Sequence, residues 1–263
     1  MPNHVQNRVR LTGEQSRIDE LLRTVQNDEE GFGTIDFNKI IPMPKELDIE
    51  CSSRTEQGFK AYSDFISVYI FDQPDGKIDV FAIPKKAEQA FLKIRKDVDP
   101  IAFIQGKKAY QNKIKFGHSS WYDWCIANWG TKWNAYSFGE CESNTLSFCT
   151  AWSCAMPVMK KLSEMFPDVH FNYAWADEDF GCNVGEVELQ NGETTYENIP
   201  APFSKEAYEM AADTFGEDLL ADRHMMFNEE SDNYEYLSDE EIEVLTEDEI
   251  SESGETEQPQ QKM

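Results

Sequence analysis

The chain lacks most of the patterns by which a sequence announces chemistry. It has no Gly-rich phosphate loop, no G-x-S-x-G elbow, and no C-x-x-C pair among its six cysteines at 51, 125, 141, 149, 154 and 182. The first two absences argue against nucleotide cradling and serine nucleophiles. The third argues against zinc ribbons, zinc knuckles and iron–sulfur runs. Its four histidines, His4, His118, His170 and His224, sit in no metal or acid–base motif. Neither a catalytic residue nor a cofactor is therefore expected. No apolar run approaches a membrane span, and the start, Met1–Arg8, has no apolar core of the kind a secretory signal carries. A reduced, cytoplasmic setting follows as the expectation, away from membranes, with the thiols serving as small buried apolar groups.

Basic residues are also scarce. Lys and Arg number 24 against 50 Asp and Glu, for a net charge of −26. The excess is uneven: from Glu217 onward 17 acidic residues face 2 basic ones. Such a chain repels bare nucleic acid and anionic membrane on average and favours partners with a basic surface. Its 263 residues suffice for one large domain or two small ones, and a body of that size buries roughly 70% of its unfolded surface without needing disulfides.

The periodicities that are present predict an α+β fold. Val5, Val9 and Leu11 share one parity and predict a strand over 4–12. Ser16 is the expected cap of a helix carrying Ile18, Leu21, Leu22 and Val25 on one stripe. Phe37–Ile41 reads as extended. Ser67–Phe71 and Lys77–Ile83 read as strands around Pro74-Asp75-Gly76, although the first also fits the end of a helix starting near Thr55. Pro84 opens a helix with Ala87, Ala90, Phe91 and Ile94. In the second half, a helix over 119–128 precedes strands near 133–139 and 144–153. A helix opened by Pro157 and strands over 169–176 and 183–190 follow. A last helix is capped by Ser204. The order suits an antiparallel sheet with helices on one face. The expected division is an N-terminal α/β region (1–115), a ferredoxin-like domain (116–203), a C-terminal helix (204–227) and a disordered acidic tail (228–263).

The most distinctive stretch is Trp121-Tyr122-Asp123-Trp124-Cys125-Ile126-Ala127-Asn128-Trp129-Gly130-Thr131-Lys132-Trp133-Asn134. Together with Met1-Pro2-Asn3, Asn7-Arg8, Gly13 and the turn Ala176-Asp177-Glu178 before Gly181 and Gly185, it resembles the YubB-like family of bacterial plasmid- and phage-borne proteins. The resemblance spans roughly residues 1–215. It departs from the family pattern at His4 and Val5 and at Cys125. What it implies is a ferredoxin-like domain in the C-terminal half and a mobile-element setting; the family brings no catalytic residues.

Four groups are candidates for contact. Trp121, Trp124, Trp129 and Trp133 form either a packed core or a stacking platform for a planar ligand. Lys107, Lys108, Lys113 and Lys115 interleave with Tyr110 and Phe116, and form either a solvated face or a contact for phosphate or for the acidic tail. Asp177, Glu178 and Asp179 crowd one turn, without the spacing of a calcium loop. Ile242, Val244 and Leu245 alternate with acids, as in segments that order on a partner or add a strand to a sheet edge. Cys149, Cys154, His170 and Cys182 are more simply buried thiols and an ordinary histidine than a zinc site. Two functions compete. One is a non-enzymatic accessory protein that binds a host or element-encoded protein, its carboxylates standing in for DNA. The other is a nucleic-acid-binding module whose sheet aromatics stack bases and whose tail screens the lysines.

Overall fold

The computed structural model describes residues 2–73, 76–142 and 144–243. Strand β1 (His4–Thr12) forms as expected, with Val5, Val9 and Leu11 buried on one face. Helix α1 (Gln15–Val25) buries Ile18, Leu21, Leu22 and Val25, each worth roughly 1.5–3 kcal/mol of transfer from water. Its cap differs from the expectation. Glu14 stands at the N-cap, but its carboxylate accepts from no helix amide; Ser16 lies inside the helix, its hydroxyl donating to the Glu14 carboxylate (2.6 Å). Phe37–Lys39 is a 3-10 turn rather than an extended run, because the Asp36 carboxylate accepts from the Asn38 amide and folds the chain over buried Phe37.

Three helices come next: α2 (Ser53–Phe71), α3 (Lys85–Ile94) and α4 (Pro100–Phe116). The strand read over 67–71 is the last turn of α2. Ala61, Tyr62, Phe65 and Ile66 recur at helical spacing and pack against α4, which decides the conformation of the β-branched residues that follow. No strand forms over 77–83; Ile78, Val80 and Ile83 pack onto the same small cluster from a loop. α4 is capped by Asp99 and closed by Gly117 at φ +77°. At the crossing of α2 and α4, two glycines face each other. A Cβ on Gly106 would sit 1.8 Å from the Gly58 carbonyl carbon, so only glycine permits this approach.

Helix α5 (Trp121–Trp129) starts at a Ser120/Asp123 capping box. Then come β2 (Thr145–Ala151), α6 (Met156–Met165), β3 (His170–Asp177), β4 (Gly185–Gln190), β5 (Glu193–Asn198) and α7 (Lys205–Phe215), the last capped by Ser204. Among the described residues, the main sheet is antiparallel in the order β2-β1-β3-β4-β5. Strands β2 and β3, joined by α6, leave a gap between them, and β1 fills it. Residues 1–115 therefore do not stand apart from a ferredoxin-like unit at 116–203: an interior strand of the sheet, β1, comes from residues 4–12. The strand expected over 133–139 is reduced to one bridge, Tyr136 with Cys149, because Ser137 turns left-handed at φ +50°.

One face of the sheet packs on α1, α5 and α6 in the main core. There Asn7 is wholly buried and fully engaged. Its side-chain amide donates to Val5 O and to Thr150 Oγ1 (2.8 Å each), and its carbonyl accepts from the Tyr173 hydroxyl (2.6 Å). The other face carries α7 over Ala176, Phe180 and Val184. A hairpin follows, β6 (Met225–Asn228) with β7 (Asn233–Tyr236). The expectation of disorder from 228 onward is corrected here: Tyr234 and buried Met225 pack on the α7 cluster, which anchors the hairpin. The rest of the expected tail, 244–263, lies outside the described residues.

Candidate functional site

The predicted tryptophans divide into two pairs. Trp124 and Trp129 are core residues, 7% and 3% exposed, packed edge to face at 5.3 Å, with the Trp129 indole N–H donating to Ile41 O (2.9 Å). Their burial removes them as contact residues. Cys125 shares that core, and burial pushes its thiol up to about 12. Trp121 and Trp133 lie at the rim, half-buried.

Around Trp133 the structure assembles residues that no sequence pattern connected. Residues 131–136 run along the free edge of β2. The Thr131 hydroxyl donates to Ala151 O (2.8 Å), and the Lys132 and Tyr136 amides donate to Ala151 O (3.4 Å) and Cys149 O (3.1 Å). This register brings Trp152, the residue after β2, beside Lys132 and Trp133. The Lys132 ammonium lies 4.6 Å from the Trp133 ring centre and 4.7 Å from that of Trp152. Tyr122 meets Trp152 edge-on at 6.1 Å, Tyr136 meets Trp133 at 6.3 Å, and His4 Nδ1 is 2.6 Å from the Tyr136 hydroxyl. Burial, helped by Cys149 and Glu178, pushes that hydroxyl up to about 12, so it stays protonated.

Trp152 is the strained member. Its φ is +75°, a region a bulky side chain occupies at a cost of roughly 1–2 kcal/mol. Two hydrogen bonds hold it there: its amide donates to Asn3 O (3.0 Å), and its carbonyl accepts from Asn183 Nδ2 (3.1 Å). The ring remains 40% exposed. Asn183 also donates to Asp177 Oδ2 (3.0 Å), which ties the acidic turn to the aromatic strip. Asp177 itself is buried and spoken for: its Oδ1 accepts from Asn3 Nδ2 and from the Asp179 amide (3.0 Å each). Glu178 and Asp179 remain exposed, and the Glu178 amide donates to His4 O (2.8 Å).

The other candidates are not brought together. The lysines fan around α4. Lys107 pairs with Glu88 and Lys115 with Glu46, while Lys108 and Lys113 are exposed. Ile242 sits in a helical turn, its amide bonded to Ser238 O (3.0 Å), rather than in an extended run; Val244 and Leu245 lie outside the described residues. The open part of the sheet's second face presents Gln6, Arg8, Arg10, Asn172 and Glu186, with Arg8 and Arg10 directed to Asp213. On β1 through β4 the rings of that face are those of His4 and His170: His4 Nδ1 is engaged by the Tyr136 hydroxyl, and His170 Nε2 lies 3.5 Å from Glu188.

Among the described residues, no cluster of three His, Cys, Asp or Glu could hold a metal ion, and no helix is long and apolar enough to cross a membrane. His118 Nδ1 is 3.7 Å from Asp123, and His170 Nε2 is 3.5 Å from Glu188. Asp123 is committed to the α5 cap, where the Ser119 and Ser120 amides outweigh the effect of burial and hold its carboxyl below the usual range. A cavity of about 300 Å3 opens between α2, α4 and α5, lined by Cys51, Thr55, Phe59, Lys113, Tyr122 and Asp123 among others. Tyr122 is common to this cavity and to the strip.

Residues 128–217 match the model of the ferredoxin-like domain in Api92-like protein. The Api92-like segment contains β2 to β5, α6 and α7, together with Lys132, Trp133, Tyr136 and Trp152, but not β1. The crystal structure of protein api92 from Yersinia pseudotuberculosis is similar over 76% of this chain and 99% of that one, at 11% identity and a TM-score of 0.36. No curated protein matches the chain.

Sequence reasoning missed His4, Tyr122, Tyr136 and Trp152. Trp152 read as one more strand residue, and its neighbours depend on a pairing that only the folded chain reveals.

Proposed function

We propose that this chain is a non-catalytic binding protein that docks a basic segment of a partner protein on the strip formed by Tyr122, Lys132, Trp133, Tyr136 and Trp152. The observation that carries the reading is Trp152: an exposed ring on a strained backbone, fixed from both sides by Asn3 and Asn183. Strain of this kind persists where the surrounding structure over-determines it, and it clusters at sites that bind. Exposed Trp and Tyr are the side chains that dominate protein interfaces. The neighbouring carboxylates and the net charge of −26 favour a basic partner, DNA-binding proteins among them. A bacterial mobile element, as the YubB-like resemblance implies, and the cytoplasm are the setting that belongs to this reading.

A nucleic-acid-binding module is the competing reading, since rings also stack bases. The pairing of Lys107 and Lys115 with carboxylates, and a sheet face whose β1 to β4 residues include no Phe, Tyr or Trp, weigh against it.

Fluorescence anisotropy with a short labelled arginine-rich peptide and a labelled oligothymidylate separates the two. The peptide is expected to bind, and Trp152→Gly to weaken it at least about tenfold. Glycine accepts the left-handed backbone, so this variant removes the ring and keeps the chain path. Oligothymidylate binding as tightly as the peptide, or peptide binding indifferent to Trp152→Gly, overturns the proposal.

A further inference from the structure

Lys132 sits between two indole rings, and its surroundings distinguish it from the other ring-flanked cation of the protein. Arg223 lies over Phe180 (4.3 Å) and Phe215 (5.4 Å), but it is ion-paired with Glu217. Lys132 has no carboxylate partner among the described residues. Its ammonium is held by the faces of Trp133 and Trp152 alone. Indole faces attract cations through their quadrupole, tryptophan most of all.

The slot does not depend on the lysine for its shape. Trp133 is fixed by the pairing of 131–136 with β2 and buttressed by Tyr136. Trp152 is fixed by Asn3 and Asn183 and buttressed by Tyr122. The walls are rigid, while the occupant hangs on a flexible four-carbon stem. Glu178, whose amide donates to His4 O, adds negative charge near Tyr136, the ring that buttresses Trp133.

We infer that the Trp133–Trp152 slot is the receptor for a cationic side chain of the partner polypeptide, and that Lys132 occupies it in cis until the partner's lysine or arginine displaces it. The inference rests on the docking reading above and gives that surface its chemistry. Lys132 is then an internal competitor. It lowers apparent affinity, and it shields exposed Trp152 and half-buried Trp133 while no partner is bound.

The test uses the full chain and tetramethylammonium chloride, read by tryptophan fluorescence against sodium chloride at matched ionic strength. Lys132→Ala empties the slot and is expected to bind tetramethylammonium roughly tenfold more tightly than the native protein. Lys132→Gln, which keeps the stem and loses the charge, shifts affinity in the same direction. Lys132→Arg refills the slot and binds no better than the native protein. Adding Trp152→Gly to Lys132→Ala abolishes the gain. Equal affinity of Lys132→Ala, Lys132→Gln and the native protein for the probe overturns the inference. That result leaves the docking reading standing if the arginine-rich peptide still binds the native chain. A gain for the small cation without peptide binding establishes the slot and removes the docking.

Discussion

The sheet body and the three-helix unit α2–α4 are stabilised in opposite ways. The body is sewn together from distant segments: Asn7 on β1 reaches Phe148 O on β2 and the Tyr173 hydroxyl on β3, within a core that draws on α1, α5 and α6. The helical unit is local. Its cluster is Ala61, Tyr62, Phe65, Ile66, Ile83 and Phe103, and its closest contact is glycine on glycine. Its links to the rest include Asn112 Nδ2 to Glu46 O (2.7 Å), Lys115 to Glu46 (2.9 Å) and Phe116, the last residue of α4, against the main core. Large apolar residues also remain exposed on it, with Phe71 at 89% and Ile94 at 81%. One region resists because many separate pieces must leave together; the other holds because two backbones touch.

That contrast can be broken experimentally. The largest effect is expected from Gly106→Ala, whose new methyl meets the Gly58 backbone and has nowhere to go. It should cost about 3 kcal/mol or more. Amide exchange should rise across 53–116 while β1 and β3 stay protected. Simultaneous loss of protection in both regions would show that they form one cooperative unit.

Asn7→Ala is the reciprocal experiment in the body. It removes the acceptor of the buried Tyr173 hydroxyl and the donor to Thr150 Oγ1, which keep only Ala155 N–H and Ser153 O as partners, for an expected loss of about 2–3 kcal/mol. The change should be visible as a lower urea midpoint at unchanged slope. A midpoint shift below the error of the measurement would mean that the network is ornamental.

The smallest effect concerns the thiols. Burial raises Cys154 to about 11 and Cys125 to about 12, against an ordinary value of 9.0. Both folded values exceed the unfolded one, so their contribution is intact below pH 9 and is lost as pH rises toward 11 and 12. Stability should therefore decline over that alkaline range. At pH 8, iodoacetamide should label exposed Cys51, at the edge of the helical unit, well before Cys125 and Cys154. Mass spectrometry of the labelled protein checks the order; equal labelling would place the body's thiols in contact with solvent.

The same contrast governs how much could be read from sequence. β1, α1 and α7 were readable because one face of each is buried and the apolar spacing records it: Val5, Val9 and Leu11; Ile18, Leu21, Leu22 and Val25; Tyr208 and Ala211 behind the Ser204 cap. The end of α2 was ambiguous because its β-branched residues mimic a strand until Phe65 and Ile66 find α4. The Gly58–Gly106 contact left no favourable trace, since glycine inside a helix reads as a weakness. β5, with its Glu-Thr-Thr start, has no apolar alternation to betray it. The aromatic strip was only half readable. Trp133 stood out, but its neighbours His4, Tyr136 and Trp152 come from three segments whose proximity depends on β1 pairing with β2 and on the edge coil. That proximity is a property of topology and not of local spacing.

The position of β1 between β2 and β3 carries a consequence for biosynthesis. During translation this strand emerges before its partners, and the carbonyl that its Asn7 meets on β2 belongs to a residue 141 positions further along. The sheet cannot close until β3 has emerged, whereas α2–α4 can form as soon as they are made. The nascent chain thus exposes Val5, Val9 and Leu11 until those partners are made, and this wait is the interval in which holdase chaperones would act on it.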